Sequence, residues 1–177
     1  VSLPSHLRYL RTDDANEQLS MPSRAPMPRT DSGTCLTYIH QHTRSMTFTK
    51  TEIERELNST SPTIIWKLIS TADGMARWLA DSITQDGDKL TFMWGNPWDH
   101  NEKRVAKFTM KKKNEAVRFE WDDPDTEGTY VEIRMERSSI TDDFILSVTD
   151  FATEEDTEWL RSIWDHNFQR LRQSSGI

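Results

Sequence analysis

Apolar and polar residues alternate along most of the chain after residue 48. In KTEIERELNS, residues 50–59, Ile53 and Leu57 share a face with Arg55, and charged residues lie between them. This period of two is typical of a half-buried strand. It recurs in LTFMW, RVAKFTMKK, AVRFEWDD, TYVEIRMER and DFILSVTDF. The short connections between these segments predict an antiparallel sheet with one apolar face and one charged face.

A short helix is predicted directly after the first strand. Ser61 occupies a favoured capping position, and Pro62 follows at the first helical position, where its missing N–H costs no hydrogen bond. The apolar side chains that follow recur at helical spacing for about two turns. They are Ile64, Ile65, Leu68 and Ile69, with Trp66 at the edge of the stripe.

A second short helix is predicted after a break in this stripe. Asp73 and Gly74 favour turns, so we interpret them as the break. Beyond them, Met75, Trp78 and Leu79 fall at positions i, i+3 and i+4 on one helical face.

The last segment carries the pattern of a longer amphipathic helix. Thr153 and Asp156 resemble a capping box at its start, and Arg170 and Arg172 suit the negative end of its dipole. Its apolar positions keep helical spacing for about three turns. They are Leu160, Ile163, Trp164, Phe168 and Leu171.

Together these elements predict an α+β fold. Because a single sheet cannot leave its whole apolar face in water, the long helix is expected to cover that face. The result is a curved antiparallel sheet of six to seven strands wrapped around one long C-terminal helix. Two short helices follow the first strand and close one end of the sheet, where Trp66 and Trp78 fix them in place.

Composition divides the chain near residue 46. Residues 1–45 hold four prolines and many Ser, Thr and Arg residues, but none of the seven Trp or seven Phe. We expect this segment to be a disordered N-terminal extension, because it has too little apolar surface to offset the entropy of ordering. Residues 46–177 are the predicted domain. We hypothesise that Met46 is the natural first residue and that the segment before it results from a gene start placed too far upstream.

Charge and cysteine content narrow the function classes. The formal net charge is −7, and the only basic run is Lys111, Lys112 and Lys113, so nucleic acid is not an expected partner. No run of 18 apolar residues and no charged-then-apolar leader occurs, which predicts a cytoplasmic protein without a membrane span. The single cysteine, Cys35, offers neither a disulfide nor a thiolate metal site.

The order of elements resembles the helix-grip fold of the START-like superfamily, also called the SRPBCC or Bet v type. IIWKLISTADGMARWLAD is similar to the stretch around the two short helices in the domain related to the activator of the ninety-kilodalton heat-shock chaperone's ATPase. VRFEWDD, VEIRMER and LSVTDFA fall where that family has its later strands, and the similarity spans residues 47–174. Small stand-alone bacterial START-like proteins share the turn into the last helix. Where activator-like proteins have His and Gly, this chain reads Thr149, Asp150 and Phe151.

The resemblance implies a cavity between the sheet and the closing helix, which in relatives binds apolar ligands such as lipids, sterols or polyketides. The side chains expected to point into it are Phe92, Trp94, Phe108, Phe119, Trp121, Ile133, Leu146, Trp164 and Phe168. These rings could instead fill the cavity as ordinary core, each contributing about 2 to 3 kcal/mol by burial.

Few residues meet the requirements of an enzyme site. Neither His100 nor His166 lies beside a carboxylate in an apolar segment, as general acid–base chemistry requires. No catalytic residue, metal ligand or cofactor is therefore predicted. Asp150 follows the parity of the inner face, but it lies three residues before Thr153, so we interpret it as a cap of the last helix.

Charged residues on alternate positions of neighbouring strands have a simple interpretation. Arg118, Glu120 and Arg134 all fall on the predicted solvated face. We expect them to form cross-strand charge pairs rather than a site.

Three functions stay open from the sequence. The first is a non-catalytic protein that binds a small apolar ligand in the cavity. The second is a protein-interaction module, related through the family resemblance to chaperone ATPase activators, for which Trp98 and the WGNPWDH loop are the candidate surface. The third is an enzyme of the cyclase or hydrolase type, for which only Asp150 and Arg55 are candidate buried polar residues.

Overall fold

A computed structural model describes residues 47–95 and 101–177. The predicted extension, Met46, Trp98 and His100 lie outside these ranges. The strands are β1 Thr49–Glu56, β2 Ser82–Asp86, β3 Lys89–Gly95, β4 Asn101–Lys112, β5 Ala116–Trp121, β6 Val131–Arg137 and β7 Phe144–Ala152. The helices are α1 Pro62–Ser70, α2 Ala72–Ala76 and α3 Thr157–Ser175, with a short 3₁₀ turn at Pro124–Thr126.

The seven strands form one antiparallel sheet in the order β1-β7-β6-β5-β4-β3-β2. Ile53 pairs with Val148, Val148 with Ile133, and Ile133 with Val117. All four side chains are buried. This ladder lies on the inner face, and α3 packs against that face on β1 and β7. The predicted α+β helix-grip architecture is confirmed.

One irregularity changes the predicted face of a side chain in β4. Phe108 pairs with Phe119, but the register then shifts, so that Met110 pairs with Arg118. Met110 therefore faces the outer side with Arg118, although the period of two in RVAKFTMKK predicts that it shares a face with Ala106 and Phe108. A bulge of this kind inserts one residue and reverses the alternation beyond it.

The two short helices differ from the sequence interpretation at their junction. Asp73 and Gly74 lie inside α2 and do not form the predicted turn. Thr71 caps this helix, because its side-chain oxygen accepts a hydrogen bond from the Gly74 N–H at 3.0 Å. A Cβ atom at Gly74 would lie 2.0 Å from the carbonyl oxygen of Lys67. Gly74 thus permits the close contact of α2 with α1. The sequence had instead suggested that Gly74 forms a turn between the two helices.

The first helix buries only part of its predicted stripe. Ile65, Leu68 and Ile69 are buried, whereas Ile64 is 50% exposed. Ser61 stands at the capping position as expected, but its side chain makes no capping hydrogen bond. The stripe is therefore narrower than the run of isoleucines suggested.

Helix α3 begins later than the capping pattern predicted. Its N-cap is Asp156, whose side chain makes no capping hydrogen bond. The Thr153 hydroxyl instead donates to the Asp156 carboxylate at 2.7 Å. The predicted stripe is nevertheless in place, with Ile163 half-buried and four side chains buried. These four are Leu160, Trp164, Phe168 and Leu171.

Candidate functional site

Five aromatic side chains of β3, β4 and β5 form one group on the inner face of the sheet, which we call the inner aromatic cluster. Its members are Phe92, Trp94, Phe108, Phe119 and Trp121. The ring centroids of Phe92 and Trp121 are 5.1 Å apart, and Phe119 lies 5.5 Å from each of them. Trp94 stacks on Phe92 at 5.8 Å, and Phe108 meets Phe119 edge-on at 6.4 Å. These separations are typical of favourable aromatic pairs.

The rings of the inner aromatic cluster are buried to different extents. Phe92 and Phe119 are 1% and 2% exposed, whereas Trp94 and Trp121 are only half-buried. The Trp94 indole N–H donates to the Leu79 carbonyl oxygen at 2.8 Å. This bond fixes the ring against the segment that follows α2. Two large rings on an apolar face thus keep accessible surface.

The remaining predicted ligand-binding residues lie in other surroundings. Trp164 and Phe168 of α3 pack with Trp78, whose ring centroid lies 6.1 Å from Trp164 and 5.9 Å from Phe168. Ile133 and Leu146 are fully buried core side chains. The nine predicted residues therefore fall into a sheet group, a helix group and plain core.

Asp150 is a buried carboxylate between the sheet and α3. Its Oδ2 accepts a hydrogen bond from the Trp164 indole N–H at 2.9 Å, and its Oδ1 accepts one from the Phe151 backbone N–H at 2.7 Å. Burial raises the pKa of Asp150 to about 6, although these two hydrogen bonds and the charge of Arg104 act in the opposite direction. Asp150 accepts no hydrogen bond from the start of α3 within the described residues, so the predicted capping role is wrong.

Thr51 lies beside Asp150 on the inner face. The two residues are paired across β1 and β7, so their side chains point to the same side. The Thr51 hydroxyl is buried and has no hydrogen-bond partner in the described part of the chain. Buried hydroxyls without a protein partner are uncommon, and an ordered water molecule or an ion usually completes them.

Arg104 is the polar inner-face residue that the sequence interpretation missed. It is in phase with Ala106 and Phe108 on β4, and it pairs with Phe92 on β3. Its guanidinium carbon lies 4.0 Å from the centroid of the Trp121 ring, a cation–π contact. Burial lowers the pKa of Arg104. The alternation in RVAKF could have identified Arg104, because a residue two positions before Ala106 lies on the same face of the strand.

Arg55 is exposed and has structural partners, so its prediction as a buried polar residue of an enzyme site is wrong. Its guanidinium forms an ion pair with Asp165 of α3 and lies 5.6 Å from the Phe168 ring centroid. An open cleft of about 660 Å³ adjoins this pair, with Leu57, His166 and Phe168 in its lining. The cleft lies between the end of β1 and α3.

Charged residues on the outer face form a compact network. Glu132 is buried and accepts hydrogen bonds from Arg118 at 2.6 Å and from Arg134 at 2.8 Å. Burial acts to raise the pKa of Glu132, but the two arginines hold it below its ordinary value. The predicted charge pairing thus occurs, but with Glu132 as its acidic partner, while Glu120 is exposed.

Residues 47–95 and 101–177 contain no group of three or more His, Cys, Asp or Glu side chains placed to hold a metal ion. No described helix is long and apolar enough to cross a membrane.

Comparison with known families identifies the fold. The sequence model of the START-like superfamily domain matches residues 46–177. The chain therefore belongs to the START-like superfamily, as its sequence pattern had suggested. Curated proteins give no significant match.

Solved structures agree with this assignment. A Bacteroides fragilis protein solved by NMR is 34% identical, with 72% of this chain and 91% of that chain covered and a TM-score of 0.51. The Aha1 dimer from Colwellia psychrerythraea is 18% identical over 74% of this chain and 98% of that one, with a TM-score of 0.54. The AHSA1-like protein from Aeromonas hydrophila is 17% identical over 72% and 94%, with a TM-score of 0.56. The latter two similarities show the fold alone.

Proposed function

We propose that this domain binds a small apolar ligand on the inner face of its sheet, without catalysing a reaction on it. The observation that carries the proposal is the half-burial of Trp94 and Trp121 on a face whose other rings are closed. Large rings that keep accessible surface on an apolar face are typical of ligand sites, which are mainly hydrophobic with a few polar groups.

Polar groups next to these rings support the proposal. Arg104 lies over Trp121, and Asp150 and Thr51 lie together on the same face. These groups place a few polar atoms beside the apolar rings, which is the usual make-up of a small-ligand site. The ligand would therefore have an apolar body and at least one polar atom, as many lipids, sterols and polyketides do.

The first experiment is native mass spectrometry of the full chain purified from its own host. A co-purifying apolar mass is expected. Thermal-shift screening against fatty acid esters, sterols and aromatic polyketides should then give reproducible stabilisation by one class, because a ligand that binds only the folded state raises its stability. A bare mass and no stabilisation by any class would contradict the proposal.

A matched pair of variants locates the site. Trp121→Leu should weaken binding about fivefold, since an aromatic contact contributes about 1 kcal/mol beyond burial. Trp66→Leu makes the same change in a half-buried tryptophan of α1 and should leave affinity unchanged. Equal losses in both variants would show that the ligand does not bind at the inner aromatic cluster.

The competing hypothesis of a protein-interaction module has less support. Its candidate surface at Trp98 lies outside the described residues. Within them, the large exposed hydrophobic side chains are Ile64 and Ile140, which lie on different segments. Single exposed apolar residues are normal on protein surfaces and need no partner.

A further inference from the structure

Arg104 places a cationic group on a face of the sheet that is otherwise apolar. One face of its guanidinium is covered by the Trp121 ring. A guanidinium directs its five N–H donors outward in its own plane. The Trp121 ring therefore covers one face of the guanidinium, and the N–H donors at its edge remain able to bind acceptor oxygens.

The edge donors have no acceptor in residues 47–95 and 101–177. Among these residues, the side-chain contact that Arg104 makes is the cation–π contact with Trp121. Asp123 acts on it only through its charge, and the Asp123 carboxylate already accepts the Asp125 N–H at 3.1 Å. A ligand oxygen at this edge would accept a hydrogen bond from a charged donor, and such bonds are stronger than those between neutral groups.

The charge around Arg104 restricts what that oxygen can be. Asp123, Glu102 and Asp150 all act electrostatically on the guanidinium. A ligand carboxylate would add a fourth negative charge beside this one cation, and a ligand ammonium has no lone pair with which to accept a hydrogen bond from Arg104. A neutral carbonyl oxygen accepts the hydrogen bond and adds no charge.

We infer that the ligand is a neutral apolar carbonyl compound, such as an ester or ketone, whose oxygen accepts a hydrogen bond from Arg104 while its hydrocarbon part lies on Trp94 and Trp121. This inference rests on the proposed function and names its ligand class. It assigns Arg104 as the residue that selects the polar group.

The test compares four probes of similar size on the full chain, namely methyl octanoate, octanoate, octylamine and octane. Binding is followed by tryptophan fluorescence. Methyl octanoate is expected to bind about tenfold or more tightly than each of the other three, because a hydrogen bond to a charged donor contributes about 1.5 to 3 kcal/mol. In Arg104→Met, its advantage over octane should fall to less than about threefold.

Lys107→Met is the matched control, because Lys107 is an exposed cation on the opposite face of the same strand. It should keep the full preference for the ester. A tighter complex with octanoate than with the ester would overturn the inference, and so would an ester preference that survives in Arg104→Met. The probe series on the unaltered chain decides the matter even if Arg104→Met does not fold.

The inference and the proposed function can fail separately. Equal affinity for the ester and octane would overturn the role of Arg104 but leave an apolar binding site. If the ester does not bind at all, the inference is wrong, and the proposed function then depends on the wider ligand screen.

Discussion

The indole N–H of Trp164 donates a 2.9 Å hydrogen bond to the buried carboxylate of Asp150. This bond joins α3 to β7 across an apolar interior. Hydrogen bonds to charged acceptors are stronger than neutral ones, and an unpaired buried carboxylate is strongly unfavourable. Asp150 therefore helps to position the closing helix against the sheet, and its ionisation should be visible in the stability of the fold.

Stability should depend on pH through Asp150. Its pKa is raised to about 6 in the folded state, whereas an unfolded aspartate titrates near pH 4. Between these values the native state holds a proton that the unfolded state has lost, so the free energy of unfolding falls as pH rises. The decrease is expected to total about 3 kcal/mol and to be complete by about pH 7.

Asp150→Asn removes this titration. Between pH 4 and pH 6, the free energy of unfolding should fall in the wild type relative to Asp150→Asn. Urea denaturation at each pH measures this difference. Asp86→Asn, at an exposed position of β2, controls for the loss of one negative charge. A difference that is independent of pH would show that Asp150 is not the buried acid described above.

Glu132 on the outer face should behave in the opposite way. Because Arg118 and Arg134 hold its pKa below the ordinary value, its contribution to stability is present at neutral pH and is lost as pH falls through the folded-state pKa. Glu132→Gln should cost about 1 to 3 kcal/mol at pH 7 and progressively less below about pH 4. Glu120→Gln, at an exposed position of β5, should cost less than about 0.5 kcal/mol. Equal costs for the two variants would contradict the network.

Gly74→Ala should destabilise the domain although alanine favours helices. The added Cβ would lie 2.0 Å from the Lys67 carbonyl oxygen and 2.8 Å from the Leu68 Cα atom, so α1 and α2 must move apart. We expect a loss of about 1 to 3 kcal/mol in chemical denaturation. Ala72→Gly, the reverse change in the same helix, should cost no more than about 1 kcal/mol. A variant at Gly74 that is as stable as wild type would disprove the close contact.

The two tryptophans that follow β1 should contribute unequally. Trp78 is fully buried, packs against Trp164 and Phe168, and donates its indole N–H to the Leu68 carbonyl oxygen at 3.0 Å. Trp78→Ala should cost about 3 to 5 kcal/mol. Trp66 is half-buried, so Trp66→Ala should cost clearly less in the same denaturation experiment. Similar costs would mean that both rings fix the cap, as the sequence suggested.

Much of this fold was predictable because the hydrophobic pattern within each strand and helix identifies that element and its buried face. The period of two places Val117, Phe119 and Ile133 on one face of the sheet wherever neighbouring strands pair. The helical spacing of Leu160, Trp164 and Phe168 likewise identifies the buried face of α3. Such patterns depend on the geometry of a single element, and they correctly predicted the sheet and the closing helix, whereas the superfamily was recognised from the resemblance of whole stretches of sequence.

The candidate site depended on contacts between residues far apart in the sequence. Parity could place Asp150 and Arg104 on the inner face, but only the packing of α3 gave Asp150 its partner in Trp164. The same holds for Gly74, whose role depends on a carbonyl group of the preceding helix. Sequence patterns record which face a residue occupies, whereas sheet curvature and helix position determine what it meets there. The sequence by itself therefore determined the architecture of this START-like domain, and the tertiary structure decided which inner-face groups are buried, exposed or paired.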